Sequence, residues 1–205
     1  YFRIKPSKKF NAKKLVKGGR QLEKNIKATD FDNLDLLPAD LSFRSLDILF
    51  SDLKHSKRRL RDVLTPLEEE YELILLDCPP NLTLESENVF KAADIVLLPF
   101  IPTTLSLVGL NKLYDFMKKK DIDVSRMYAF FSMVESRKKM HREMIERMTA
   151  ENDHFLDIRI PYSADVENMG VFRKPVTAAK PKSKAALAFL ALWRSMYHFL
   201  RRGEQ

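Results

Sequence analysis

Residues 71–80 read YELILLDCPP. Leu73, Ile74, Leu75 and Leu76 run unbroken into Asp77, and Cys78, Pro79 and Pro80 follow. A short, unbroken apolar run bounded by polar residues suits a strand buried on both faces of a parallel sheet. The two prolines stop the chain from continuing as strand or helix. Ligands of open α/β sheets sit at the carboxyl ends of the strands, so Asp77 stands where chemistry occurs. An acid in that place can hold a Mg²⁺ ion bound to nucleotide phosphates.

Working outward, strand and helix signals alternate. The run at 73–77 is followed by a predicted helix over 84–93 and a second apolar strand over 95–100, closed by Pro99 and Pro102. A helix over 104–120 buries Leu105, Val108, Leu113 and Phe116. A strand over 127–134, a charged helix over 136–151 and a strand over 156–160 closed by Pro161 come next. A short helix over 164–169 and a last one over 182–202 complete the pattern. This alternation is the signature of an α/β fold, a doubly wound, mostly parallel sheet with helices on both faces. Before residue 71 the signals are weaker: a helix near 13–27, a short strand at 34–37 stopped by Pro38, a helix over 42–52 with Ser42 as N-cap, and a helix over 56–69.

The chain has 205 residues, enough for one domain with a core. No apolar run approaches the roughly 20 residues that span a bilayer, and YFRIKPSKKF has no apolar core of a signal peptide. A single cysteine, Cys78, allows no internal disulfide and fits a reducing, cytoplasmic setting. Cys78 reads as a small buried filler. The four histidines, His55, His141, His154 and His198, lack metal-site spacing. The net charge of +8 is uneven: residues 1–30 carry +8, residues 31–172 carry −7 and residues 173–205 carry +7. Residues 1–30 read as a basic, partly flexible segment ahead of a domain over 31–205. Two basic ends around an acidic middle point either to a polyanion-binding surface or to solvated lysines.

The chain resembles the ParA/Soj/MinD family of deviant Walker-type P-loop ATPases. The residues that carry the resemblance are NLDLLPAD (33–40), YELILLDCPPNLTLESENVFKAADIVLLPFIPTTLSLVGL (71–110), SMVESRKKMHREMI (132–145) and IPYSADVENMGVFRKPV (160–176). The basic last helix fits the chromosome and plasmid partition branch, with no membrane-targeting tail. The resemblance implies that Asp77 is the catalytic acid and acts on Mg²⁺ through a water. Pro79 and Pro80 would open switch II, and Asn88 would sit on the switch-II helix. Ser132, Pro161, Ser163 and Glu167 would line the base of ATP. Non-specific DNA contact would fall to Lys174, Lys180, Lys182, Lys184, Arg194, Arg201 and Arg202. It further implies an ATP-dependent homo-oligomer, a ParB-like partner and a nucleoid-associated location. Against these stand plainer readings: Asp77 as a turn cap, Asn88 as a satisfied helix amide and Pro161 as a strand stop. As a whole, the chain could also be a nucleotide-independent DNA- or protein-binding module on a degenerate ATPase fold.

The family's phosphate loop, of type KGGxGKT, is missing. Lys17-Gly18-Gly19-Arg20 continues as Gln21-Leu22-Glu23, without the later Gly, Lys and Thr, and no apolar strand precedes it. It reads as a turn. In relatives NLDLLP stands much further into the protein, so the simplest account is that the first strand, the phosphate loop, the first helix and the second strand lie outside this chain. The run at 73–77 would then lack a hydrogen-bonding neighbour, and each unpaired buried backbone group costs about 1–3 kcal/mol. The expected repair is self-association, or direct pairing of the two strands that flank the gap.

Overall fold

The basic start of the chain folds around its few apolar residues. In the computed structural model, which describes residues 2–53 and 56–202 (of Arg201 and Arg202 only the helical backbone), Phe10, Ala12, Leu15, Val16 and Leu22 are buried. They join Leu46, Phe50, Val63 and Leu67 in one core. Lysine stems can lie along apolar surface while the ammonium stays in water, so a lysine-rich segment can still pack. Buried residues of the first thirty thus share this core with residues of the chain that follows. Phe2–Asp94 with Phe116–Ile122 form one unit, and Ile95–Asp115 with the chain from Asp123 onward form the other.

In the first unit, α1 (Ala12–Lys17) starts at Asn11, whose side-chain oxygen accepts from the Lys14 N–H at 3.2 Å. It ends at Gly18, whose φ of 70° suits glycine. Gly19 then starts α2 (Arg20–Glu23), so the expected single helix over 13–27 is two short ones. The Arg59 guanidinium donates to the Val16 and Lys17 carbonyls at 2.7 and 2.9 Å and covers the open end of α1. β1 (Lys27–Ala28) pairs antiparallel with β2 (Asp35–Leu36), the strand expected at 34–37. Asp40, not Ser42, caps the 3₁₀ turn Leu41–Ser45 that leads into α3 (Leu46–Ser51). The Ser42 hydroxyl is taken by the Ala12 N–H at 2.9 Å, an orphan donor at the start of α1. α4 (Arg59–Leu64) runs into a 3₁₀ turn, Thr65–Glu69, and α5 (Leu84–Ala92) follows residues 71–80.

Residues 71–80 form no strand. Ile74 packs on the core, but Leu75 is 79% exposed, and Asp77, Cys78, Pro79 and Pro80 lie on the surface. The segment is tied at its start by the Tyr71 hydroxyl, which donates to Asp35 Oδ2 at 2.7 Å. The strand expected over 73–77 is thus corrected to an exposed loop. The direct pairing expected to close the sheet is also not formed. A strand is held by its ladder, and this run has none among the described residues. Cys78, expected to be buried, is exposed.

The second unit holds a three-stranded parallel sheet in the order β3–β4–β5: Val96–Phe100, Met127–Val134 and Phe155–Pro161. α6 (Thr104–Lys119) connects β3 to β4, and α7 (Lys139–Glu151) connects β4 to β5. Three short helices, α8 (Ala164–Glu167), α9 (Met169–Phe172) and α10 (Val176–Ala179), precede α11 (Lys184–Arg202). Side chains alternate across each strand. Phe130 and Ile160 pack with Leu192, Ala188 and Phe189 of α11. Phe100, Phe131 and Phe155 meet edge-on or tilted, with centroids 5.3–6.2 Å apart. The fold is α/β, as the alternation of signals predicts.

Candidate functional site

Register shifts mark the carboxyl end of the sheet. β4 and β5 are in register at Phe130↔Leu156, shift before Phe131↔Arg159 and shift again before Val134↔Pro161. The second shift leaves Ser132 and Met133 as a bulge on β4, with Met133 at φ 52°. Bulges concentrate beside functional sites, where they re-aim a side chain. Just beyond, the Tyr162 N–H donates to the Val134 carbonyl at 3.0 Å. Ser163 caps α8 by accepting from the Asp165 N–H at 3.2 Å. The Tyr162 hydroxyl donates to Glu167 Oε1 at 2.8 Å, which raises the Tyr162 pKa, helped by the charge of Glu167. Ser132, Pro161, Ser163 and Glu167 are therefore brought together where parallel sheets bind ligands. Tyr162 joins them without having been singled out from the sequence, although its place between Pro161 and Ser163 was a signal.

His141 stands next to this end. It is buried, and its Nδ1 accepts from the Glu135 N–H at 3.2 Å. Burial, with the charge of Lys138, lowers its pKa below the usual histidine value and keeps it neutral. His198 is exposed, His154 is half-buried and His55 lies outside the described residues.

Asp77, Pro79 and Pro80 belong to the other unit and sit on its exposed loop. Partial desolvation of the sulfur, helped by the Asp77 and Glu85 charges, pushes the Cys78 thiol up to about 11, so it is protonated at neutral pH. Asn88 is fully buried: its Oδ1 accepts from the Leu60 N–H at 3.3 Å and its Nδ2 donates to the Leu84 carbonyl at 3.0 Å. The Oδ1 bond holds the start of α4 to α5, and the Nδ2 bond stays within α5.

Glu87, beside it, escaped the sequence reading. Its carboxylate is 0% exposed, with Lys91 Nζ and Lys120 Nζ each at 2.9 Å and Lys57 Nζ at 3.7 Å. Burial pushes its pKa up, but hydrogen bonds from Lys120 and Lys91 and their charge outweigh that and hold it below the usual carboxylate range. The sequence signal for it is Lys91, one turn on.

Lys174, Lys180, Lys182, Lys184 and Arg194 are all exposed. The side chains of Arg201 and Arg202 lie outside the described residues.

The side chains present suit a nucleotide's base better than its phosphates. The end of β4 and β5 offers hydroxyls, a carboxylate and a half-exposed aromatic ring, the sort of polar set that orients a planar ligand. At Lys17–Arg20 the Gly18 N–H is already committed to the Lys14 and Leu15 carbonyls at 3.1 and 3.0 Å. That turn therefore lacks the row of free amides that cradles a phosphate. No group of three or more His, Cys, Asp or Glu among the described residues is placed to hold a metal ion. Asp77 alone needs nucleotide phosphates to complete a Mg²⁺ site, so no hydrolytic step follows from these residues by themselves.

A family model described as an AAA domain, AAA_31, matches residues 4–128. The chromosome partitioning protein ParA of Myxococcus xanthus is 28% identical over 182 residues, 86% of this chain and 64% of that protein. The chain thus spans about two thirds of that relative's length. A cobyrinic acid a,c-diamide synthase from Mycobacterium smegmatis, solved with a bound ATP analogue and magnesium, superposes with a TM-score of 0.77 at 19% identity, covering 98% of this chain and 78% of that one. The cell division ATPase MinD of Pyrococcus furiosus superposes with a TM-score of 0.71 at 22% identity, covering 94% and 77%. The chain belongs to the AAA_31 family of AAA domains, and its α/β fold is that of the ParA/MinD-type P-loop ATPases it superposes on.

Proposed function

We propose that this chain is the Walker-B and switch-II portion of a ParA-like partition or positioning ATPase. The observation that carries this reading is the assembly of Ser132, Pro161, Tyr162, Ser163 and Glu167 at the carboxyl ends of β4 and β5. In the complete enzyme these residues line the base of ATP, Asp77 acts on Mg²⁺, and Pro79 and Pro80 start the switch. Such an enzyme dimerises around nucleotide, binds DNA non-specifically through Lys174, Lys180, Lys182, Lys184, Arg194, Arg201 and Arg202, and is stimulated by a ParB-like partner. Phosphoryl transfer rests on positioning and charge neutralisation, and the lysine that supplies most of that charge has no counterpart here. The purified chain therefore does not hydrolyse ATP. A steady-state ATPase assay tests this, and activity that Asp77→Ala abolishes would overturn it.

One observation favours a second reading, a nucleotide-independent binding module: Asp77 lies on an exposed loop rather than at the end of a strand. A gel shift with non-specific duplex DNA at two salt concentrations separates the two. Binding without ATP that falls steeply with salt supports the module. Binding that requires ATP and a separately supplied phosphate-loop segment supports the ATPase.

A further inference from the structure

Three cations converge on one small cavity in the first unit without a matching set of anions. The cavity, of about 270 Å³, is lined by Ser56, Lys57, Arg58 and Lys91. Among the described residues, the only carboxylate within 4 Å of Lys57 or Lys91 is Glu87. Glu87 is already neutralised from its other oxygen, because Lys120 Nζ stands 2.9 Å from Oε2 and over the Phe116 ring at 5.8 Å. Arg58 makes no ion pair with any described residue. The charge of Lys57, Arg58 and Lys91 is thus left over. An ammonium carries three donors, so Lys91 has donors to spare after meeting Glu87. Lys57 and Arg58 stay in water, and the summed field of three neighbouring cations attracts an anion to the opening.

We propose that this cavity binds a small phosphate-bearing anion through Lys57, Arg58, Lys91 and the Ser56 hydroxyl. The Arg58 fork and the Lys57 and Lys91 ammoniums form a donor set suited to phosphate oxygens. Buried Glu87 fixes the Lys91 ammonium at 2.9 Å and leaves its remaining donors for the ligand. The volume favours a small anion, since pockets for drug-sized ligands run from roughly 300 to 1,000 Å³. The site uses none of the residues assigned above to nucleotide or DNA and stands apart from that reading.

The test is calorimetric titration of the chain with inorganic pyrophosphate at constant ionic strength, with a sodium chloride blank. The double variant K57A/R58A, at two surface positions, and D77A are titrated in parallel. The expected result is saturable binding that K57A/R58A weakens at least tenfold and D77A leaves unchanged. A short single-stranded oligonucleotide without terminal phosphate is expected not to compete. Absence of saturable binding would overturn the proposal, as would equal affinity in K57A/R58A or loss in D77A. Full competition by the oligonucleotide would overturn the assignment to a small anion, the source then being a nucleic-acid backbone.

Discussion

Two apolar runs of the chain read alike and fold differently. ILLDCPP, at 74–80, and VLLPF, at 96–100, are both short, leucine-rich and broken by proline. The second is β3, paired with β4 from Val96↔Met127 to Phe100↔Phe131. The first is an exposed loop with Leu75 in water. Composition does not separate them, but the neighbour does. Burying a strand leaves polar backbone groups to satisfy, and β4 satisfies them for β3 alone. A strand is a property of a pair, and a pattern in one segment reports only half of it.

The largest effect that tests this contrast is Phe131→Ala. Phe131 is fully buried among aromatic rings, and its loss should cost about 3–5 kcal/mol in urea unfolding. Leu75→Ala, the matching change in the other run, should stay within about 0.5 kcal/mol. Equal losses would mean that the loop is packed after all. Next is Glu87→Gln, which strands Lys91 and Lys120 beside a neutral amide. Breaking a buried pair costs about 3–5 kcal/mol, and since the lysines can turn toward water, about 2–3 kcal/mol is expected by the same measurement. Asn88→Ala removes the acceptor of the Leu60 N–H and should cost about 1–2 kcal/mol. A smaller loss would show that water replaces the amide.

Acid unfolding should have two stages. His141 has a lowered folded pKa, so its neutral form stabilises above 6.5 and that contribution is lost as pH falls below it. Glu87 also has a lowered folded pKa, with Lys57, Lys91 and Lys120 facing it. Its contribution is complete above 4.5 and lost as pH falls further. In E87Q the stage below 4.5 should shrink while the stage near 6.5 persists, as followed by fluorescence of Trp193. The smallest effect is Asp77→Ala on stability, within about 0.5 kcal/mol. A larger value would place this acid in a structural role.

The second unit was legible because its signals are redundant. Apolar runs at 96–100, 127–134 and 155–161 alternate with amphipathic helices, and each strand has a partner further along the chain. The ends of α6 and α11 fall within two residues of the predicted ones. In the first unit the message is local and mixed. Lysines mask the core role of Phe10, Leu15 and Leu22, because stems and head groups part company only in three dimensions. Asp40 and Ser42 compete for one cap, and the choice depends on Ala12, thirty residues earlier than Ser42. The pairing of a buried acid with Lys120 cannot be read from Glu87. For the site, Pro161, Ser163 and Glu167 were readable as one segment, whereas the bulge at Ser132 and Met133 emerges only from the register of two strands.

Pro99 gives the sheet a one-sided chemistry. Among the described residues β3 has a ladder on its β4 side alone, and Pro99, opposite Phe130, brings no N–H. A run that contains proline has one backbone donor fewer to offer its neighbours. Proline on such an edge is a common guard against runaway strand addition. The proline makes β3 a poorer template for indiscriminate stacking. Replacing Pro99 would therefore be felt first in the concentration at which the protein stays clear in solution.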